Sequence, residues 1–274
     1  MAAPFGVKPL SGLRDDLELL MSINTGDAYI DSTPELDDIN EAYEKTAYKY
    51  NWPSLLTHRG IAKVANLDRY ALPTNFRKAR TIKLDNVTLT EVEKEFLKRS
   101  RRTYAIDQQQ NDIILYTVPS SASTAYTLSN AESAGNAVTI ELDTVSGLTA
   151  HDEIWVDSAS GTDEFTMVSA IGTLQITARL FVAKSASDIL YRQDDIIDLL
   201  FYRRIALLSA SSDVTLLPGD VDRVLLHYAA YKGFARLELF DESEKHFKIW
   251  ERDIAEAWLS SGKNSTGAVT TLSV

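Results

Sequence analysis

Chemistry in this chain would have to come from four histidines and three acidic pairs. His58, His151, His227 and His246 stand apart in the sequence. None belongs to a His-Glu-x-x-His helix, and the spacing of His227 and His246 does not suit a shared helical metal face, so each reads as a surface or packed histidine. Asp15-Asp16, Asp37-Asp38 and Asp194-Asp195 supply paired carboxylates, the groups that glycoside hydrolysis needs at a set separation. Sequence neighbours on a helix point in different directions, however, and the first two pairs fall in the first halves of helical segments. There the positive end of the helix is reason enough for them. Asp152, Asp157 and Asp163 offer oxygen ligands of the kind calcium takes, without an EF-hand loop around them. Phosphate-cradling, dinucleotide and Gly-x-Ser-x-Gly runs are missing. With no cysteine, thiol nucleophiles, Cys-ligated zinc, iron–sulfur clusters and disulfides are excluded. The residues therefore point to a chain that is not an enzyme and needs no cofactor or metal.

Charge narrows the partners. Across 274 residues there are 39 acidic and 28 basic side chains, a formal net charge of -11. General nucleic-acid binding needs clustered positive charge, which this balance does not favour. An acidic wall would still let DNA slide past without sticking. One basic segment stands out: Arg77, Lys78, Arg80 and Lys83, then Lys94, Lys98, Arg99, Arg101 and Arg102, with Glu91, Glu93 and Glu95 interspersed. It reads as a solvated face, or as a positive patch that meets an acidic neighbouring protein or touches DNA. No run approaches the roughly 18 apolar residues of a membrane span. Pro4, Pro9 and Asp15-Asp16 interrupt any leader-like apolar run, so neither a membrane nor a secretory leader is expected.

The positioning elements follow from periodicity. Residues 11–23 read as a helix capped by Ser11, with Leu13, Leu17, Leu20 and Met21 on one face. A second helix starts at Thr33-Pro34, carries Leu36, Ile39, Tyr43 and Ala47 as its stripe, and stops at Trp52-Pro53. Residues 59–84 alternate as two short strands around Pro73. Thr90-Glu91-Val92-Glu93 fits a capping box, which predicts a helix over about 90–102. Ser120-Ser121-Ala122-Ser123 is linker-like. Strand patterns with intervening glycines follow at 138–142, 153–157, 164–168 and 174–177, which predicts an inserted small β-domain over 123–189. Trp155 lies mid-strand and is expected in its core. Helices resume at Pro218-Gly219-Asp220 and at Asp241, the last carrying Trp250, Ile254 and Trp258 at four-residue steps. The end of the chain, Ala268-Val269-Thr270-Thr271-Leu272-Ser273-Val274, has the β-propensity to add a strand to a partner's sheet edge.

In this order the pieces resemble the head-to-tail adaptor, connector or head-completion proteins of tailed double-stranded DNA phages. The resemblance covers half to two thirds of the chain. It rests on Ile39, Ala42, Tyr43 and Trp52, on the Leu-Pro-x-x-Phe step of Leu72, Pro73 and Phe76, and on Tyr104-Ala105-Ile106 and Ile113-Ile114-Leu115-Tyr116. Tyr228, Ala229 and Ala230 of the closing helix complete it. The usual strand return is displaced here to about Leu199–Tyr202 by the β-rich insertion.

The resemblance implies an α+β fold, a helical bundle packed on a small antiparallel sheet, with an inserted all-β sandwich or barrel domain. Its boundaries would be 1–122 and 190–261 for the two parts of the core, 123–189 for the insertion and 262–274 for a flexible C-terminal tail. It implies a structural virion protein of the neck, made in the host cytoplasm. Its partners would be the portal ring, a downstream neck or tail protein, copies of itself in a dodecameric ring, and genomic DNA passing through the lumen. Portal docking would fall to the tail residues Ala268, Val269, Thr270, Thr271, Leu272 and Val274. The expected subunit interface pairs Lys98, Arg99, Arg101 and Arg102 with the acidic helix face of Asp37 and Asp38. The alternative is a virion accessory protein whose β-domain binds a receptor or a glycan.

Overall fold

Leu10, Leu13, Leu17 and Met21 recur at three- and four-residue steps. In the computed structural model, which describes residues 7–21, 33–99, 102–159 and 161–264, they form the buried face of helix α1 (Leu10–Met21). Helix α2 (Thr33–Lys49) buries Ile39, Ala42, Tyr43 and Ala47 and also two acids, Glu35 and Asp38. Helices α3 (Val221–Arg236) and α4 (Phe240–Asn264) pack on each other, and α3 packs on α1 and α2. All four belong to one unit, formed by the chain up to Leu56 and the part from Arg204 onward.

Polar side chains fix these helices in place. The Thr46 carbonyl accepts from the Trp52 indole at 2.9 Å, and its hydroxyl accepts from the Trp250 indole at 3.1 Å. Asn40 acts as a surrogate strand, donating to the Leu208 carbonyl at 3.0 Å and accepting from the Leu208 amide at 2.8 Å. Of the four-residue stripe on α4, Trp250 and Ile254 are buried, while Trp258 is partly exposed and stacks on Tyr50 at 4.9 Å between centroids.

The second unit, Thr57–Arg203, is built from sheets. Strands β1 (Leu56–Ala62), β2 (Arg69–Ala71), β3 (Phe76–Leu84), β4 (Val87–Thr88), β5 (Thr90–Glu91), β6 (Thr103–Asp107) and β7 (Asp112–Leu115) come first. Then follow β8 (Tyr126–Thr127), β9 (Gly135–Glu141), β10 (Glu153–Asp157), β11 (Glu164–Ile171), β12 (Gln175–Leu180), β13 (Ile189–Arg192) and β14 (Ile196–Arg203). They form three sheets, ordered β1-β14-β3-β4, β2-β7-β6-β5 and β8-β13-β10-β11-β12-β9. The helical bundle on a small antiparallel sheet that the sequence suggested is therefore overturned. Among the described residues the chain is mostly β, with fourteen strands in three sheets and only four α-helices.

One local misreading contributes. The expected helix over about 90–102 is instead strand β5, a 3-10 turn at Lys94–Arg99 and the start of β6. The Thr90 and Val92 amides bond to the carbonyls of Arg102 and Tyr104, at 2.8 and 2.9 Å, so β6 takes the backbone donors that a helix would have used. Glu91 accepts from the Tyr104 hydroxyl at 3.2 Å rather than closing a capping box.

The first two sheets share one core, which holds Tyr70, Leu72, Phe76, Ile82, Tyr104, Ile113, Leu115, Ile197, Leu199 and Phe201. The Leu-Pro-x-x-Phe step enters it through a turn in which the Phe76 amide bonds to the Pro73 carbonyl at 2.9 Å. Leu72 is pinned by the side chain and the backbone of Asn111. Strand β14 returns antiparallel to β3, from Ile197 opposite Leu84 to Arg203 opposite Phe76, with two bulges. The two-residue turn from β3 to β4, Asp85 and Asn86, has positive φ at both positions, as the tight hairpin geometry demands.

The six-stranded sheet has its own core around Ile140, Ile154, Val156, Val168, Ile176 and Leu190. Its other face carries Trp155, stacked on Tyr191 at 5.5 Å between centroids and clustered with Ile196, Ala62 and Phe165. Gly60 on β1 is what admits the Trp155 ring. A Cβ there would lie 2.7 Å from Ile196 Cδ1 and closer still to the indole. Gly60→Ala is expected to destabilise the protein by about 1–3 kcal/mol through overpacking. A thermal melt reads this, and a melting temperature equal to the parent's would show that β1 and the indole separate without cost.

Candidate functional site

The residues singled out from the sequence fall in both units, and several lie outside the described residues. Asp38 is fully buried, and its carboxylate takes a forked pair of hydrogen bonds from the Arg236 guanidinium, the shortest 2.8 Å. Asp37, next to it on α2, is exposed, as is Arg102. Lys98 and Arg99 lie in the 3-10 turn Lys94–Arg99. Their side chains, all of Arg101, and the docking candidates Ala268, Val269, Thr270, Thr271, Leu272 and Val274 lie outside the described residues.

The acidic pairs and the calcium candidates are each tied up locally. Asp16 pairs with Lys8, and Asp194 with Arg192 at 2.6 Å. Asp195 holds Lys63 at 2.9 Å and accepts from the Thr124 amide. Asp152 caps Thr149, and Asp163 accepts from the Ser158 amide at 3.0 Å. Burial and the neighbouring Asp163 push the Asp157 carboxyl above its ordinary range. Among the described residues no group of three or more His, Asp or Glu could hold a metal ion.

Three polar clusters were not legible from spacing. In the first, His58 on β1 meets Asp198 on β14 through Nε2, and Lys83, directly opposite on β3, reaches the same carboxylate at 3.4 Å. Gln193 donates to its second oxygen at 2.9 Å. Burial alone would raise the Asp198 carboxyl, but the bonds from His58 and Lys83 outweigh it and hold the group below the usual range. The His58 ring lies flat on Phe165, 3.7 Å between centroids. A histidine oriented by a buried carboxylate is the arrangement of a general base. In this fold the same bonds lock β1, β3 and β14 together.

In the second cluster, the nearly buried Lys63 lies between Asp85, 2.6 Å away in the β3–β4 turn, and Asp195. In the third, Lys184 is fully buried, 3.0 Å from Glu164 and bonded to the Thr162 carbonyl.

The helical unit holds a fourth pair. His227 on α3 and His246 on α4, read separately in the sequence, meet Nδ1 to Nδ1 at 2.9 Å, and both are buried. Two neutral imidazoles satisfy this contact only when one donates its Nδ1 proton and the other accepts. Nothing in the nineteen-residue separation announces it.

No family model matches the chain, and no curated protein does either. Among the described residues no helix is long and apolar enough to cross a membrane.

The histidine pair sets a pH dependence. Burial, then His246 and Arg223, push His227 down to about 4, with Asp253 opposing and Arg252 adding. Burial and Lys245 lower His246, against Glu242. The unfolded chain takes up protons near pH 6.5, before the folded one, so this contribution is complete above that pH and is lost as pH falls toward 4. For His227 alone its full size is about 3 kcal/mol. The melting temperature is expected to fall as pH drops from 6.5 to 5, and the double variant His227→Phe/His246→Phe to flatten that slope. An unchanged slope in the double variant would assign the loss to other groups.

Proposed function

We propose that the chain is a non-enzymatic structural protein of the neck of a tailed double-stranded DNA phage. On this reading it is an adaptor that binds the portal as a ring, extends the DNA channel and offers a platform to the next neck or tail protein. The observation that carries the reading is the pairing of β14 with β3. The resemblance places a returning strand at about Leu199–Tyr202, beyond an insertion, and that strand closes one core with the Leu-Pro-x-x-Phe residues and the β6–β7 pair. The motif residues of the sheet unit thus act as one packing unit.

Surface composition supports assembly over catalysis. Leu237, Leu239 and Phe240 lie exposed at the α3–α4 corner, Phe240 at 68%. Met167 and Leu174 on the six-stranded sheet are more than half exposed. Apolar surface of this kind is what an assembling subunit covers on docking. The receptor- or glycan-binding alternative would use an exposed aromatic on the β-region; Trp155 is buried there, and Phe181, 43% exposed, is stacked under the Arg179 guanidinium.

The test is mass photometry of the purified chain with and without the cognate portal ring. A portal-dependent gain in multiples of 30.5 kDa is expected, with deletion of residues 262–274 weakening it. No association at any salt concentration would overturn the reading.

A further inference from the structure

Positive charge in this acidic chain is concentrated in one stretch of sequence. Residues 76–102 carry nine basic and four acidic side chains. Four of the basic residues, Arg77, Lys78, Arg80 and Lys83, lie on β3, and the register of β14 on β3 sorts that strand by face. Ala79, Ile82 and Leu84 lie opposite Phe201, Leu199 and Ile197 in the core, while Lys78 lies opposite Tyr202 and Lys83 opposite Asp198 on the outer face. The Arg77 guanidinium sits over the Tyr202 ring, 5.8 Å from its centroid. Asp198 neutralises Lys83 in part. Lys78 and Arg80 are exposed and form no ion pair among the described residues. The result is a basic outer face with a half-buried tyrosine in it.

The six-stranded sheet is its complement. Residues 126–192 carry nine acidic and three basic side chains. Glu141 at the end of β9 lies opposite Gln175 at the start of β12, and Glu153 at the start of β10 lies opposite Met167. Because the strands alternate in direction, these positions gather toward one end of the sheet. Glu141 and Glu153 are exposed there, as are Met167 (52%) and, in the turn between β11 and β12, Leu174 (56%). Aliphatic side chains flanked by carboxylates have the composition of a protein-binding surface, an apolar centre with a charged rim.

We propose that these two surfaces bind each other between copies of this chain. Lys78, Arg80 and Tyr202 of one copy dock on the acid-rimmed apolar end of the six-stranded sheet of the next. The contact is heterologous, two different patches meeting, which is the kind that closes identical subunits into a ring. It names the subunit interface of the proposed adaptor and rests on that reading. Charge selects the occupant. A chain of net charge -11 repels a DNA duplex as a whole, whereas a second copy brings both an opposite local charge and apolar surface. In such a contact the apolar centre supplies affinity, and the charges set register and association rate.

A charge exchange on the full chain tests it. Lys78→Glu/Arg80→Glu and Glu141→Lys/Glu153→Lys are made separately and together, and each protein is checked for a parental circular dichroism spectrum and melt. Assembly on the cognate portal is then titrated by mass photometry. Each double variant is expected to assemble at least about tenfold more weakly, and the combined variant, with both charges exchanged, to recover most of the loss. Double variants that assemble like the parent overturn the contact, as does a folded combined variant that fails to recover. A parent that adds no mass to the portal overturns the adaptor reading instead. Self-association is then read by sedimentation velocity of the chain alone, where salt-sensitive oligomers disrupted by either pair support the contact and a monomer at every concentration overturns it.

Discussion

Strand β14 has to reach β3 across more than a hundred residues, and the sheet unit depends on that pairing. On its inner face Ile197, Leu199 and Phe201 complete the core shared by the first two sheets, while Ile196 enters the cluster around Trp155. Closing so long a loop on a featureless chain would be slow, since non-local pairing must be preceded by closure entropy. The intervening sheet removes most of that difficulty. Its edge strand β8 pairs with β13, Tyr126 opposite Leu190 and Thr127 opposite Ile189, so its two ends emerge side by side. Once it is formed, β14 is joined to the earlier strands by what amounts to a short loop. Ser123 tightens the junction, bonding through its hydroxyl to the Asp195 carbonyl and through its backbone to Lys63.

Register is then enforced by charge. A one-residue slip of β14 would bring Asp198 to the core face and carry its leucine and phenylalanine neighbours outward. It would also part the Asp198 carboxylate from His58, Lys83 and Gln193. A buried charge without its partners costs several kcal/mol, about 3–5 when one partner is removed. Lys63 acts similarly at the other end, binding the β3–β4 turn through Asp85 and the exit of the six-stranded sheet through Asp195. Such pairs add little net stability over apolar residues of the same size. Their effect is to make the wrong register far worse than the right one.

What the sequence disclosed follows the same division. Amphipathic periodicity located all four helices within a few residues, because each buries a stripe whose spacing is local. Alternation located β10, β11 and β12 for the same reason; Trp155 is buried mid-strand, but in the cluster with Tyr191 and Ile196 on the other face and not in the core of the six-stranded sheet. Residues 90–102 were misread because Val92 and Phe96 keep helical spacing while the Thr90 and Val92 amides are claimed by the carbonyls of Arg102 and Tyr104, partners that no single helical turn contains. Counting helices from one family's pattern, with the β-rich segment treated as an addition, understated how far strands dominate. The polar clusters were invisible for a related reason. His58 and Asp198 are 140 residues apart, and His227 meets His246 only because α3 and α4 pack on each other. Asp38 was read as surface acid from its place in the first half of a helix, yet it faces inward onto Arg236.

Assembly of a strongly acidic chain poses a physical difficulty that its charge layout answers. Copies repel at long range, but at physiological salt that repulsion decays over about 8 Å, so only the surfaces in near contact decide the outcome. Evenly spread acidity would leave every close approach unfavourable. Here most of the basic excess falls in residues 76–102, while residues 126–192 are mainly acidic. On the proposed reading only a head-to-tail approach is attractive, because a face meeting its own kind is opposed. The order of the strands produces that polarity directly, since β3 carries Arg77, Lys78, Arg80 and Lys83 in one sheet while Glu141 and Glu153 lie in another. The same six-stranded sheet that separates β14 from β3 along the chain would then also make association directional.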